Sequence, residues 1–115
     1  EKSREKRFDR FRIISNGILY MENESGENLS IAEIAALCNV SEVYFRRLFK
    51  EYSGLSPSDY RLRNKIRRAK LLLKYENMTV SEIAESLSFT GSAYFIKTFR
   101  RMTGMTPLKY RASCL

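Results

Sequence analysis

Two predicted helices of this chain each carry small and cationic side chains along one side, at the helical spacing i, i+3, i+4 and i+7. These side chains are Val43, Arg46, Arg47 and Lys50 in the first helix, and Ala93, Ile96, Lys97 and Arg100 in the second. Arginine can donate two parallel hydrogen bonds to guanine O6 and N7, whereas isoleucine and alanine can contact a thymine methyl group. Such residue types favour a surface that binds another molecule over one that reacts with it.

The composition argues against an enzyme. The 115-residue chain contains no histidine, which excludes His-containing zinc sites, Ser-His-Asp and Cys-His nucleophile systems and the usual general base. Cys38 and Cys114 form neither a disulfide framework nor a CxxC pair, which suits the reducing cytoplasm. A glycine-rich phosphate loop is also absent from the sequence. We therefore expect no catalytic residues, no metal and no cofactor.

The net charge of +8 is unevenly distributed. Residues 1–42 carry 6 basic and 8 acidic side chains, while residues 43–115 carry 15 basic and 5 acidic ones. A basic surface of this size favours phosphate polymers or an anionic membrane surface as partner. No run approaches the roughly 18 apolar residues needed to cross a bilayer, and the charged start is no secretory signal. We expect no membrane partner.

The chain is predicted to begin with a helix over residues 7–21, followed by a loop over residues 22–28. These elements precede the helix that carries Val43, Arg46, Arg47 and Lys50. The apolar stripe of that helix is Phe11, Ile14, Ile18 and Met21.

Capping signals then predict a short helix, a turn and a longer helix. Ser30 and Glu33 form a capping box for a helix over residues 31–38, which Asn39 ends. Ser41 caps the longer helix, predicted from Glu42 to about Tyr52. The side chains expected to face the core from this longer helix are Phe45, Leu48, Phe49 and Tyr52.

A long central helix is predicted from the Ser56-Pro57 start to Tyr75, with a length of about 28 Å. Its apolar stripe is Leu62, Ile66, Ala69 and Leu73, and its remaining surface carries Arg61, Arg63, Lys65, Arg67, Arg68, Lys70 and Lys74. We expect this surface to be basic along its whole length.

The second half of the chain repeats the first. Glu33-Ile-Ala returns as Glu82-Ile-Ala, and the aromatic, glycine, proline and arginine positions that follow return fifty residues later. Thr79 and Glu82 should form a second capping box, Ser88 should break the short helix, and Thr90 should cap the longer one. The core-facing residues of that longer helix should be Phe95, Phe99 and Met102.

Each copy has the pattern of a helix-turn-helix, whose second helix enters the major groove of DNA. We predict a first helix-turn-helix subdomain over residues 1–55, a linker helix over 56–75 and a second subdomain over 76–115. Successive major grooves lie about 34 Å apart, which matches the linker helix plus the width of the units. One chain would therefore read two unlike half-sites.

The run from Ser92 to Arg111, including Gly104 and Thr106-Pro107, resembles the signature of the AraC/XylS-type bacterial transcription regulators, and the resemblance covers residues 29–111. It implies an all-α fold of about seven helices, in which two helix-turn-helix subdomains flank a long central helix. It also implies base reading by the third and sixth helices. The implied residues are Glu42, Val43, Arg46 and Arg47 (the first reading face) and Ser92, Ala93, Ile96 and Lys97 (the second reading face).

Further expectations concern partners. We expect double-stranded DNA to be bound, with phosphate contacts from Ser41, Lys50, Arg63, Arg67, Thr90, Arg100 and Arg101. The resemblance implies RNA polymerase as a partner and an N-terminal sensing or dimerisation domain outside this chain. Asn39 and Ser88 replace the family's common turn glycine, so we expect strain at the second turn. The alternatives are a basic helical module that binds RNA or an acidic protein, and a surface-active amphipathic protein.

Overall fold

A computed structural model of the chain describes the backbone of residues 2–22 and 29–115 and the side chains from residue 7 onward. The described residues contain helices and no strand, which confirms the predicted all-α class. Over residues 2–22 and 29–115 the helices are α1 (Lys2–Glu22), α2 (Ile31–Leu37), α3 (Glu42–Ser53), α4 (Pro57–Tyr75), α5 (Val80–Ser86), α6 (Ser92–Thr103) and α7 (Pro107–Ser113). Glu22 ends α1, and the rest of the loop predicted over residues 22–28 lies outside the described residues.

The chain divides into two compact units, Glu1–Arg61 and Leu62–Leu115, so that α4 begins in the first unit and continues in the second. Each unit has its own apolar core. The first core contains Ile14, Met21, Ile31, Ile34, Ala35, Phe45, Leu48 and Phe49. The second contains Ile66, Ala69, Leu73, Ile83, Ala84, Leu87, Phe95 and Phe99.

Local capping signals set the helix bounds of the first unit as predicted. The Glu33 amide donates to Ser30 Oγ over 3.0 Å, and the Ser30 amide donates to Glu33 Oε1 over 3.4 Å, which completes the capping box. Asn39 adopts a left-handed conformation with φ of 60°, and Gly54 ends α3 with φ of 77°. The turn between α2 and α3 is therefore fixed by residues close to it in sequence.

Phe11 of the predicted apolar stripe of α1 and Tyr52, expected to face the core from α3, are both exposed. Phe11 is 59% exposed. One turn before the buried Ile14, the residue on the inner side of α1 is Arg10 and not Phe11. The Arg10 guanidinium lies 4.0 Å from the Glu51 carboxylate. Tyr52 is 44% exposed, because it lies in the last turn of α3, beyond the side chains that pack on the core. Helical spacing located the correct side of each helix but not how far along it the core extends.

The second unit is built in the same way, with one correction. Thr79 and Glu82 form the predicted capping box, and Ser88 is left-handed with φ of 62°. Thr90 does not cap α6, since the residue at the N-cap is Gly91 and no side chain caps this helix. Thr90 stands one residue too early for its hydroxyl to reach the helix amides.

Candidate nucleic-acid interface

The first reading face lies on the side of α3 opposite its buried side chains. Phe45, Leu48 and Phe49 are buried against the core of the first unit. All four residues of the face are exposed, and Val43 is 78% exposed. The Ser41 hydroxyl accepts a hydrogen bond from the Tyr44 amide over 3.1 Å and so holds the start of α3. The fold therefore presents these four side chains to solvent from a capped helix.

Within this face, Arg46 and Glu42 form an ion pair across one helical turn. Arg46 donates from Nε over 3.1 Å and from Nη2 over 2.9 Å, and both hydrogen bonds end on Glu42 Oε1. Both side chains remain partly exposed. Sequence reasoning placed both residues on the face but did not predict that they bind one another.

Arg47 has a different environment from Arg46, although the sequence suggests equal roles. Its guanidinium lies over the Tyr44 ring, 5.5 Å from the centroid, which is within the range of a cation–π contact. Arg47 also borders an open cleft with Asp9, Arg10 and Ile13 of α1. It therefore occupies the α1 edge of the reading face, whereas Arg46 pairs with Glu42 at the other edge.

The second reading face lies on α6, whose buried side consists of Phe95, Thr98 and Phe99. Ala93, Ile96 and Lys97 are exposed, and Ser92 is half-buried. The face carries one cation and two apolar side chains, which gives it a chemistry unlike that of the first. Arg100 and Thr90, both expected to meet phosphates, are exposed as well.

The turn before α6 is held by a contact that sequence reasoning missed. Lys65 of α4 donates from Nζ to the Ser88 carbonyl oxygen over 3.5 Å and lies 5.3 Å from the centroid of the Phe89 ring. Phe89 in turn packs on Phe95, with the ring centroids 5.0 Å apart. The sequence offered one signal for this contact: an aromatic residue, Phe89, follows Ser88, whereas the equivalent position of the first unit, after Asn39, is Val40.

Three predicted phosphate-binding residues, Arg63, Arg67 and Arg101, come together in the second unit. They line an open cleft of about 480 Å³ between α4 and the end of α6, together with Lys70, Ile66, Met102 and Thr103. We call Arg63, Arg67, Lys70 and Arg101 the cationic cleft. Four cations around one concave surface make a favourable site for an anionic group.

The remaining predicted contacts are more scattered, and the basic surface of α4 is less even than expected. Lys50 is exposed and borders a separate cleft of about 530 Å³ with Arg46 and Arg47. Arg63, Arg67 and Lys74 are exposed, whereas the other basic residues of α4 are half-buried. Burial lowers the pKa of the Arg61 guanidinium. The exposed charge is thus concentrated toward the second unit.

Neither a metal-binding group of side chains nor a membrane-spanning helix is found in the described part of the chain. There, no three or more His, Cys, Asp or Glu side chains are grouped so as to hold a metal ion. None of the helices described here is both long and apolar enough to cross a membrane.

Comparison with known proteins gives a consistent family. The helix-turn-helix domain family matches residues 27–113. The probable transcriptional regulator LumQ of Photobacterium leiognathi is 30% identical over 92 residues, which are 80% of this chain and 37% of LumQ. The uncharacterized HTH-type transcriptional regulator YidL of Escherichia coli is 38% identical over 78 residues, which are 68% of this chain and 26% of YidL. This chain therefore spans well under half the length of either relative.

Among solved structures, a transcriptional regulator from Chromobacterium violaceum, described as an AraC-type DNA-binding domain-containing protein, has a TM-score of 0.80 and 31% identity. The match covers 90% of this chain and 92% of that one. The likeness extends over both units.

Proposed function

Because this chain belongs to the AraC-type helix-turn-helix family, we propose that it is the sequence-specific DNA-binding part of a bacterial transcription regulator. In this proposal α3 and α6 each enter a major groove of one double-stranded DNA, and the two reading faces contact base edges there. The proposed binding involves no chemical step and no cofactor.

The observation that carries the proposal is the pair of exposed, chemically unlike faces on the second helix of each helix-turn-helix. The first face offers guanidinium donors that suit guanine, and the second offers Ile96 and Ala93, which suit a thymine methyl. A protein with two different faces reads an asymmetric site.

Phosphate contacts supply affinity and set the register of the protein on the duplex. We assign this role to the arginines of the cationic cleft in the second unit and to Ser41 and Lys50 beside the first reading face. In this proposal the two half-sites lie in successive major grooves of one duplex, about 34 Å apart.

The whole protein is longer than this chain if it resembles its relatives. We propose that an N-terminal sensing or dimerisation domain is fused to it, and that the complete regulator contacts RNA polymerase in the bacterial cytoplasm. These proposals rest on the family and not on any site described above.

Selection of bound duplexes from a random pool tests the proposal. The 115-residue chain should enrich a motif with two unlike elements about one helical turn apart. Arg46→Ala should weaken binding to that motif by about 1–3 kcal/mol and relax the preference in one element only. Glu85→Ala, which removes an exposed carboxylate of α5 that belongs to neither reading face, serves as the control. Equal losses on selected and random duplexes after Arg46→Ala would contradict base reading and favour a general polyanion binder.

A further inference from the structure

The ion pair between Glu42 and Arg46 leaves part of each side chain available for a ligand. Nε and one Nη2 hydrogen of Arg46 are occupied by Glu42 Oε1. The outer edge of the guanidinium, formed by Nη1 and the second Nη2 hydrogen, makes no hydrogen bond to any described residue, and neither does Glu42 Oε2. One edge therefore offers parallel donors while an acceptor oxygen lies beside it.

The position of the pair suits base contacts. Glu42 is the first residue of α3 and Arg46 lies one turn later, within the N-terminal part from which a recognition helix contacts base edges. Both side chains are partly exposed, so a ligand can reach both of them. The corresponding residues of the second unit are Ser92 and Ile96, which cannot form such a pair.

We propose that Glu42 and Arg46 act together to read two neighbouring G·C base pairs in the half-site of the first unit. The outer edge of Arg46 donates to O6 and N7 of a guanine, and Glu42 Oε2 accepts from the N4 amino group of a cytosine in the adjacent base pair. This inference rests on the proposed function, and it adds the base composition of one half-site. Because the second unit lacks the pair and exposes Ile96 and Ala93, its half-site contains thymine instead.

Glu42 would contribute more to specificity than to affinity. Its carboxylate is repelled by the phosphates of any duplex and by the acceptor atoms of thymine and guanine, so it penalises wrong bases. The ion pair also favours one orientation of the Arg46 side chain before binding, which lowers the entropy lost on complex formation. A Glu42 that only screened the charge of Arg46 would weaken binding to every duplex by the same factor.

Binding measurements on two duplexes separate these roles. The first duplex carries the motif selected by the wild-type chain, and the second replaces the cytosine next to the contacted guanine with thymine. The wild-type chain should bind the second duplex about tenfold more weakly. Glu42→Ala should bind both duplexes within about twofold of one another while still requiring the guanine. Glu85→Ala should behave like the wild-type chain.

Glu42→Gln provides a readout that a folding defect cannot imitate. Glutamine pairs with adenine through N6 and N7, so this variant should move the preference at that position from cytosine to adenine. An unchanged cytosine preference in Glu42→Ala, or a uniform gain of affinity on all duplexes, would overturn the inference while leaving DNA binding intact. Failure of the wild-type chain to enrich any motif would instead refute the proposed function and the inference with it.

Discussion

The backbone of Gly17 in α1 lies directly against the aromatic ring of Phe45 in α3. A Cβ atom added to Gly17 would lie 2.7 Å from Cζ of that ring, closer than real Cβ atoms approach any neighbour. Ile14 and Met21, three residues before and four residues after Gly17, are also buried. This line of α1 therefore meets the inner side of α3, whose outer side carries the first reading face.

Gly17→Ala should destabilise the first unit by about 1–3 kcal/mol, the usual cost of overpacking a well-filled core. Alanine is a better helix former than glycine by about 1 kcal/mol, so the variant should be stabilised if the contact were absent. Urea unfolding monitored by circular dichroism measures the difference. Asn16→Ala changes the neighbouring exposed residue of α1 and should leave stability unchanged or slightly higher. A Gly17→Ala variant as stable as Asn16→Ala would contradict the close packing.

The helices themselves could be predicted because their signals are local. Ser30 and Glu33 cap α2 through residues three positions apart, and Gly54 ends α3 by its own conformation. The contact between Gly17 and Phe45 could not be predicted, because it depends on how closely two helices approach. For the same reason the spacing placed Phe11 in the apolar stripe of α1, although the core does not extend to it.

The candidate site divides in the same way. Helical period is enough to place Val43 and Ile96 on exposed sides, since the buried aromatic residues fix the opposite sides. The pairing of Glu42 with Arg46 depends on side-chain rotamers, which the sequence leaves open. The contact of Lys65 with Phe89 depends on tertiary packing between α4 and the turn before α6.

Ser88→Gly should stabilise the second unit by about 0.5–1 kcal/mol. Ser88 has φ of 62°, a left-handed conformation that costs a non-glycine residue about 1–2 kcal/mol. Glycine removes this cost, but it also makes the unfolded chain more flexible, and this second effect cancels part of the gain in stability. Asn39→Gly should gain less, because asparagine tolerates φ of 60° better than serine does. Thermal unfolding of both variants shows which substitution stabilises the protein more. Ser81→Gly, in the helical conformation of α5, should be destabilising, and a gain there would refute the conformational explanation.

Arg111→Met should destabilise the second unit by about 1.5–3 kcal/mol, the usual contribution of hydrogen bonds from a charged group. Arg111 donates from Nε to the Leu73 carbonyl oxygen over 2.9 Å and from Nη2 to the Glu76 carbonyl oxygen over 3.3 Å. The Leu73 carbonyl group lies in the last turn of α4, where no intrahelical partner is available, and Glu76 follows directly after the helix. Lys109→Met on the exposed side of α7 is the matched control and should change the unfolding free energy by less than about 0.5 kcal/mol.

Cys38 should react slowly and should lower stability at alkaline pH. Burial raises the pKa of its thiol, which also donates to the Ile13 carbonyl oxygen over 3.8 Å. The unfolded chain loses this proton at lower pH than the folded chain, so the free energy of unfolding falls as pH rises past the ordinary thiol pKa. Cys38→Ala should therefore show a shallower fall between neutral and alkaline pH in urea unfolding.

Alkylation of Cys38 provides an independent check. In a Cys114→Ser background, iodoacetamide at pH 8 should modify Cys38 more slowly in the folded chain than in the same chain dissolved in urea, because the thiolate is the reactive form. Mass spectrometry measures the rate of modification in both conditions. Equal rates would show that the thiol is not buried and that its pKa is not raised.

Removal of cations from the cationic cleft should weaken binding to all duplexes alike. Arg67 and Arg101 line the same cleft as Arg63 and Lys70, and a phosphate contact carries no sequence information. Each contact with B-DNA contributes about 0.9 to the slope of log affinity against log salt concentration. Arg67→Ala and Arg101→Ala should therefore each reduce that slope by about 1 while leaving the selected motif unchanged. Arg46→Ala should do the reverse, with a changed motif and a smaller change of slope. If Arg67→Ala alters base preference, or if the slope stays constant, the cleft does not bind phosphates and the neutralising role must lie elsewhere on the basic surface.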